Sequence, residues 1–158
     1  MTRYIRFDTA LGPVFATANA RGITGIYFEG QRHAPGIAPD WVEDKRNAAL
    51  VECARQVRAY LSGKQRAFDL PLAPEGSDFQ KRVWRQIAAI PFGATLSYAE
   101  LAKRAGSPGS ARAAGAATGR NPLSIVVPCH RVVGSDGSLT GYAGGLPRKK
   151  KLLALEGA

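Results

Sequence analysis

The sequence predicts a mixed α/β (α+β) chain in two parts: a β-meander followed by a helix, then a mostly helical part containing a helix-turn-helix. Three observations carry this prediction. Short strand-like runs separated by turn residues fill positions 3–28. Capping-box patterns stand at Ser77–Gln80 and Ser97–Glu100. Two short helical segments are joined by Gly106-Ser107-Pro108, the pattern of a helix-turn-helix.

In chain order, "RYIRFD" and "PVFATA" read as strands joined by Thr9-Ala10-Leu11-Gly12, and "GITGIYF" follows a turn at Asn19-Ala20-Arg21-Gly22. Residues 29–39 read as a Gly- and Pro-containing loop. Asp40, with Glu43 three residues on, predicts the start of a long helix ending at Gly63, with Leu50, Cys53, Val57, Tyr60 and Leu61 on one face. Cys53 is then a small core residue, and His33 a solvated loop histidine. "FDLPLAPEG", residues 68–76, predicts a linker between domains at 1–70 and 77–158.

Past it, Phe79, Val83, Ile87 and Ile90 form the apolar stripe of a helix stopped by Pro91-Phe92-Gly93. A third helix runs from Ser97 to Gly106. Ser107-Pro108 fits the N-cap and first position of a fourth, ending near Thr118. This fourth helix, "GSARAAGAATGR", is nearly all Ala and Gly, with one long side chain, Arg112. Two readings stand level here: a small, tightly packed helix, or a helix that presses its backbone into a minor groove only about 6 Å wide, with Arg112 reaching the base stack. Pro147 opens a last helix with four consecutive cations, Arg148 to Lys151, at its N-terminus. They oppose the helix dipole, so either phosphate contact or a solvated basic face must explain them.

A chain of 158 residues, 45% hydrophobic and 22% charged, is long enough and apolar enough to fold. No apolar run approaches the roughly 20 residues of a membrane helix, and "MTRYIRFDTA" lacks the plan of a secretory signal. A cytoplasmic protein without membrane association is expected. The net charge of +10 fits a polyanionic partner, nucleic acid being the commonest, or a generic solubility charge. Cys53 and Cys129 make no disulfide framework, and with His33 and His130 they lack zinc-site spacing. No metal and no cofactor are expected.

The chemistry concentrates in "NPLSIVVPCHRVVG", residues 121–134. Ile125–Val127 is the most strand-like run, closed by Pro128. Cys129 follows, beside His130 and Arg131, in electropositive surroundings that favour a thiolate. Neighbours on a strand point to opposite faces, so a water or a turn must connect His130 to Cys129. Two reactions remain open at this point. One is hydrolysis through an acyl-cysteine, with His130 as base and Glu156 or Asn121 orienting it. The other is alkyl transfer to the thiolate, giving a thioether that does not leave again.

"IVVPCHRVVG" resembles the P-C-H-R-V signature of the 6-O-alkylguanine-DNA alkyltransferases, the methylated-DNA–protein-cysteine methyltransferases. The resemblance runs from Ser77 to Gly157: "IPFGATLSYAELA" is similar to the stretch before the family's DNA helix, "ARAAGAATGRNP" to its minor-groove helix and "LLALEG" to its closing helix. The N-terminal meander resembles the family's RNase-H-like domain. The resemblance implies that Cys129 accepts the alkyl group, that His130 acts as base through a water with Glu156 orienting it, and that Asn121 braces the turn. It implies that Arg112 fills the gap left by a flipped guanine, that Tyr98 pushes the nucleotide out, and that Tyr142, Ala143, Gly144 and Gly145 wall the pocket. The cations expected at phosphates are Arg120, Arg131 and members of the Arg148–Lys151 run. The implied partner is double-stranded DNA with an alkylated guanine, met from the minor groove by a monomer. The chain departs from some members at Gly119-Arg120-Asn121-Pro122, where they have Arg-Gly-Asn-Pro, and at Ala143, where they have serine.

Two further readings compete. A non-enzymatic lesion-binding module of the same fold would lack Cys129. A helix-turn-helix regulator would need long polar side chains where Ala113, Ala114, Gly115, Ala116 and Ala117 stand. Transfer from S-adenosylmethionine is disfavoured because no G-x-G-x-x-G follows a strand.

Overall fold

The computed structural model describes all 158 residues. It divides into two compact units, residues 1–75 with 122–124, and residues 76–121 with 125–158. No helix is long and apolar enough to cross a membrane.

In the first unit, β1 (Arg3–Thr9), β2 (Gly12–Asn19) and β3 (Gly22–Phe28) form the antiparallel meander, and β4 (Val42–Glu43) adds to β1 in parallel, giving the order β3-β2-β1-β4. Ile5 and Phe7 of β1 are buried and alternate with exposed Arg6 and Asp8, while β2, a central strand, buries the whole run Val14–Ala18. Helix α1 (Ala48–Leu61) contributes Leu50, Cys53, Val57 and Tyr60 to the core, with Leu61 half-buried. Burial pushes the Cys53 thiol up to about 12, which fits an inert core residue.

The sequence places the start of this helix at Asp40; the structure moves it to Ala48. Asn47 is the N-cap, its side chain accepting from the Leu50 amide at 3.1 Å. Residues 42–44 instead pair with the edge of β1: the Val42 amide donates to Thr2 O at 3.0 Å and the Asp44 amide to Tyr4 O at 2.9 Å. The Arg3–Asp44 ion pair (3.2 Å) and Trp41 tilted against Tyr4 hold the segment there. An open strand edge thus outcompetes a local capping pattern, and the cap nearest the apolar face wins.

The expected linker is also partly ordered into the sheet. Ile23 donates to Pro71 O (2.7 Å) and accepts from the Ala73 amide (2.8 Å). Gly22 permits this approach, since a Cβ there would stand 2.4 Å from Pro71 O. Buried Gln56 bonds both backbone groups of Asp69, at 2.8 and 2.9 Å. Residues 122–124 pair with the same strand, the Ile26 amide donating to Pro122 O and the Ser124 amide to Ile26 O.

The second unit contains α2 (Asp78–Ala88), β5 (Leu96–Ser97), α3 (Tyr98–Arg104), α4 (Ala111–Gly119), a 3-10 turn (Cys129–Arg131), β6 (Val132–Val133) and α5 (Leu146–Glu156). The Ser77/Gln80 capping box forms in full, and Ser97 caps α3 through the Glu100 amide. Trp84, missed by the stripe Phe79-Val83-Ile87-Ile90, is buried and donates from Nε1 to Ala117 O at 2.9 Å, anchoring the end of α4.

Two expectations fail in this unit. Helix α4 starts at Ala111 and not after Ser107, because Gly109 takes φ +82° and residues 107–110 close a turn, Ser110 N donating to Ser107 O. Ile125–Val127 is not a strand: Ile125 has φ +72°, a left-handed conformation that costs a β-branched residue about 1–2 kcal/mol. Pairing of residues 122–124 with Ile26 before it and the 3-10 turn after it fix that bend.

Relocating the cap yields a test. Asn47→Ala should lower unfolding free energy by about 1 kcal/mol, while Asp40→Ala should change it little. Denaturant titration of both variants checks this, and the reverse order would restore the helix start at Asp40.

Candidate active site

The nucleophile candidate sits on a turn, not on a strand. Pro128 caps the single 3-10 turn Cys129–Arg131, closed by the Arg131 amide donating to Pro128 O at 2.9 Å. Successive residues of such a turn point about 120° apart, so Cys129, His130 and Arg131 reach different partners. All three are buried.

His130 is fully buried and its Nε2 lies 3.0 Å from Glu156 Oε2. Arg131 grips the same carboxylate bidentately, Nε to Oε1 at 2.8 Å and Nη2 to Oε2 at 2.7 Å. Its Nη1 donates to Ile90 O at 2.6 Å, and its guanidinium lies over the Phe92 ring. Burial holds His130 below its usual pKa, so the imidazole is neutral. An ionised carboxylate only accepts, so Nε2 carries the proton and Nδ1 keeps a lone pair suited to a base.

Cys129 is 4% exposed. Burial pushes its thiol up, opposed by a hydrogen bond from the Asn121 side chain and by the field of Lys149. Asn121 also donates from Nδ2 to Val127 O at 2.8 Å, linking the end of α4 to the turn before Cys129.

Arg131 was expected at a phosphate. The structure corrects this: buried, its guanidinium is committed to Glu156 and Ile90 O, leaving it no surface role. The basic run divides likewise. Lys149 is fully buried, its Nζ donating to Val132 O (2.6 Å), Thr140 O (3.1 Å) and Gly141 O (3.1 Å). Arg148 donates to Gly144 O at 3.2 Å, and only Lys150 and Lys151 stand exposed. The signal for Lys149 was present: it lies in step with Leu152, Leu153 and Glu156, the buried face of α5.

Arg112 and Arg120 are exposed, on α4 and at its C-cap, touching none of the buried cluster. Around Arg112 the helix shows Ala113 and Ala116 to solvent and turns Ala114, Ala117 and Thr118 inward. Gly115 lies over Tyr98, with 3.7 Å between a notional Cβ and the ring. The half-buried Tyr98 donates to Thr140 O at 3.1 Å. Tyr142, Ala143, Gly144 and Gly145 form the next turn of the same loop, closed by Gly145 N donating to Tyr142 O at 2.9 Å. Tyr98 and Lys149 therefore hold one loop, at Thr140 and Gly141.

Residues 78–158 match the DNA-binding domain of the 6-O-methylguanine DNA methyltransferases, and residues 2–74 match their ribonuclease-like domain. The methylated-DNA–protein-cysteine methyltransferase of Methanosarcina barkeri is 47% identical over 97% of this chain and 96% of its own length. That of Mycolicibacterium paratuberculosis is 44% identical over 99% and 93%. The structure of Mycobacterium tuberculosis OGT in complex with DNA superposes with a TM-score of 0.90 at 41% identity, covering 98% of this chain and 92% of that one. The chain belongs to the 6-O-methylguanine DNA methyltransferase family.

Proposed function

We propose that the protein repairs DNA by moving an alkyl group from O6 of guanine to the sulfur of Cys129, once per molecule. The observation that carries this is the 3-10 turn itself. It places a buried thiol next in sequence to a neutral histidine whose Nε2 is held by Glu156, in a chain related over nearly its whole length to methylated-DNA–protein-cysteine methyltransferases.

In this reading, His130 takes the Cys129 proton through a water while Glu156 fixes the imidazole. The thiolate attacks the alkyl carbon in line, the carbon–oxygen bond breaks as the carbon–sulfur bond forms, and the guanine oxygen leaves with the electron pair and is reprotonated. The step needs no cofactor. The thioether is a poor leaving group, and Cys53, buried with its thiol pushed up to about 12, cannot resolve it. All these residues come from one chain, so a monomer suffices, and the need for a reduced thiol suits the cytoplasm.

A buried sulfur reaches a base only if the nucleotide leaves the stack, which costs a few kcal/mol. Arg112, the one long side chain of α4, offsets this by occupying the gap from the minor groove, while Tyr98 displaces the nucleotide and residues 142–145 wall its pocket. The second unit suits DNA, with twelve Lys and Arg against four Asp and Glu, a net +8 of the chain's +10. Phosphate contacts fall to Arg120, exposed at the C-cap of α4, and to Lys150 and Lys151, the exposed cations of α5.

Intact-protein mass spectrometry after incubation with excess methylated-guanine duplex should show one added methyl, mapped to Cys129. Cys129→Ala should bind the duplex and gain none. Repair of several lesions per molecule would end the single-use reading.

Arg112→Ala should slow repair of duplex DNA by about 10²-fold, the equivalent of a lost few-kcal/mol offset to extrusion. Its reaction with free benzylated guanine, which needs no flipping, should be preserved. Equal loss on both substrates would assign Arg112 to the pocket or fold instead.

A further inference from the structure

Ile125 precedes Cys129 by four residues and holds φ +72°, a left-handed conformation that a β-branched side chain resists. Such a bend persists only where its surroundings fix it. After the bend, Val127 O accepts from Asn121 Nδ2 and from the Cys129 amide, both at 2.8 Å. Before it, residues 122–124 belong to the first compact unit, although in sequence they lie between α4 and the cysteine turn. The Ile26 amide donates to Pro122 O at 2.8 Å and the Ser124 amide to Ile26 O at 3.1 Å, with Leu123 fully buried between them.

These backbone bonds reach only as far as the Ser124 nitrogen, and one side-chain contact goes further. The Ser124 hydroxyl donates to Gln31 Oε1 at 3.2 Å, and the same oxygen accepts from the Phe28 amide at 2.8 Å. Both residues and both bonds are buried. Gln31 sits in the turn after β3, which its own amide closes by donating to Phe28 O at 3.1 Å. One oxygen thus joins the end of β3 to the last residue before the bend.

We propose that Gln31 is a positioning residue for alkyl transfer: by holding the Ser124 side chain it fixes the bend at Ile125 and, through it, the place from which the Cys129 sulfur attacks. This rests on Cys129 being the alkyl acceptor. Gln31 acts only through the chain. Attack on a saturated carbon is in line, and a misplacement of about 1 Å costs about 10²-fold in rate. The role needs one acceptor for two donors, not a charge or bulk. Gln31→Glu keeps such an oxygen whether ionised or protonated. Gln31→Met keeps the reach of the side chain and leaves the Phe28 N–H and the Ser124 hydroxyl without it. Ser124→Ala spares the Phe28 bond and cuts only the link to the bend.

The experiment measures single-turnover alkyl transfer in the full chain, well below each variant's melting temperature. One arm uses saturating methylated-guanine duplex, the other free benzylated guanine. Gln31→Met should slow both reactions by about tenfold with duplex affinity unchanged. A loss shared by the two substrates separates placement of the sulfur from extrusion of the base. Gln31→Glu should restore most of the rate, and Ser124→Ala should slow both reactions by a smaller factor than Gln31→Met. A merely structural Gln31 predicts a lower melting temperature for Gln31→Met with wild-type rates in the folded protein, and that result overturns the inference. So does a Gln31→Glu variant as slow as Gln31→Met. Should either Gln31 variant fail to fold, Ser124→Ala decides, and a wild-type rate there overturns the inference. Wild-type protein that gains no alkyl group at Cys129 would instead overturn the proposed function.

Discussion

The site depends on one buried interaction, the fork between Arg131 and the Glu156 carboxylate. Glu156 closes α5, and Arg131 is the last residue of the turn that carries Cys129. Their two hydrogen bonds fix the distance between helix end and turn, and the Arg131 bond to Ile90 O brings in the segment after α2. A pair this deep adds little net stability over apolar packing, but removing one partner strands a charge at a cost of about 3–5 kcal/mol. What it provides here is direction. With Arg131 holding the carboxylate ionised and oriented, Glu156 can act only as an acceptor toward His130. That fixes which imidazole nitrogen keeps its proton.

That dependence explains what the sequence made legible. The meander could be read because strand period and turn residues are local, and the Ser77 and Ser97 caps because a cap needs only its own first turn. The residues left Glu156 and Asn121 both open as partners of His130, and the family resemblance chose Glu156 and put Asn121 at the turn; the structure adds their distances. The failures share a cause. Asp40 offers a cap, but the edge of β1 offers Val42 and Asp44 a better partner. Ile125–Val127 has strand composition, but its backbone is bent by contacts distant in sequence. Arg131 looks like a surface cation until its partner 25 residues on is known. In each case a non-local pairing overrode a sound local preference.

Where local rules are broken with no packing gain, function is the better explanation. Four cations in the first two turns of α5, Arg148 to Lys151, oppose its dipole. The structure resolves this run unevenly: Lys149 turns inward to three carbonyls, Arg148 caps the loop at Gly144, and Lys150 and Lys151 remain for solvent or phosphate. Helix α4 likewise sacrifices outward side chains. Trp84 and the Thr118 hydroxyl, donating to Ala114 O at 2.7 Å, hold its inner face, so the outer face is free to be almost bare backbone with Arg112 alone projecting.

The two cysteines show how little separates an inert thiol from a nucleophile. Both are buried, and burial pushes both thiols up. Around Cys53 nothing opposes that effect. Around Cys129 stand a hydrogen bond from Asn121, the positive field of Lys149 and a neutral histidine next in sequence. Desolvation strengthens each of these, because charges act over a lower dielectric away from water. A resting thiol kept protonated is shielded from oxidation, which follows thiolate character and exposure. The groups that would stabilise the anion are already in place, so they need not reorganise when the proton leaves. A catalyst that must turn over needs its nucleophile restored after every cycle. A protein that reacts once has no such need, so it can bury the sulfur fully.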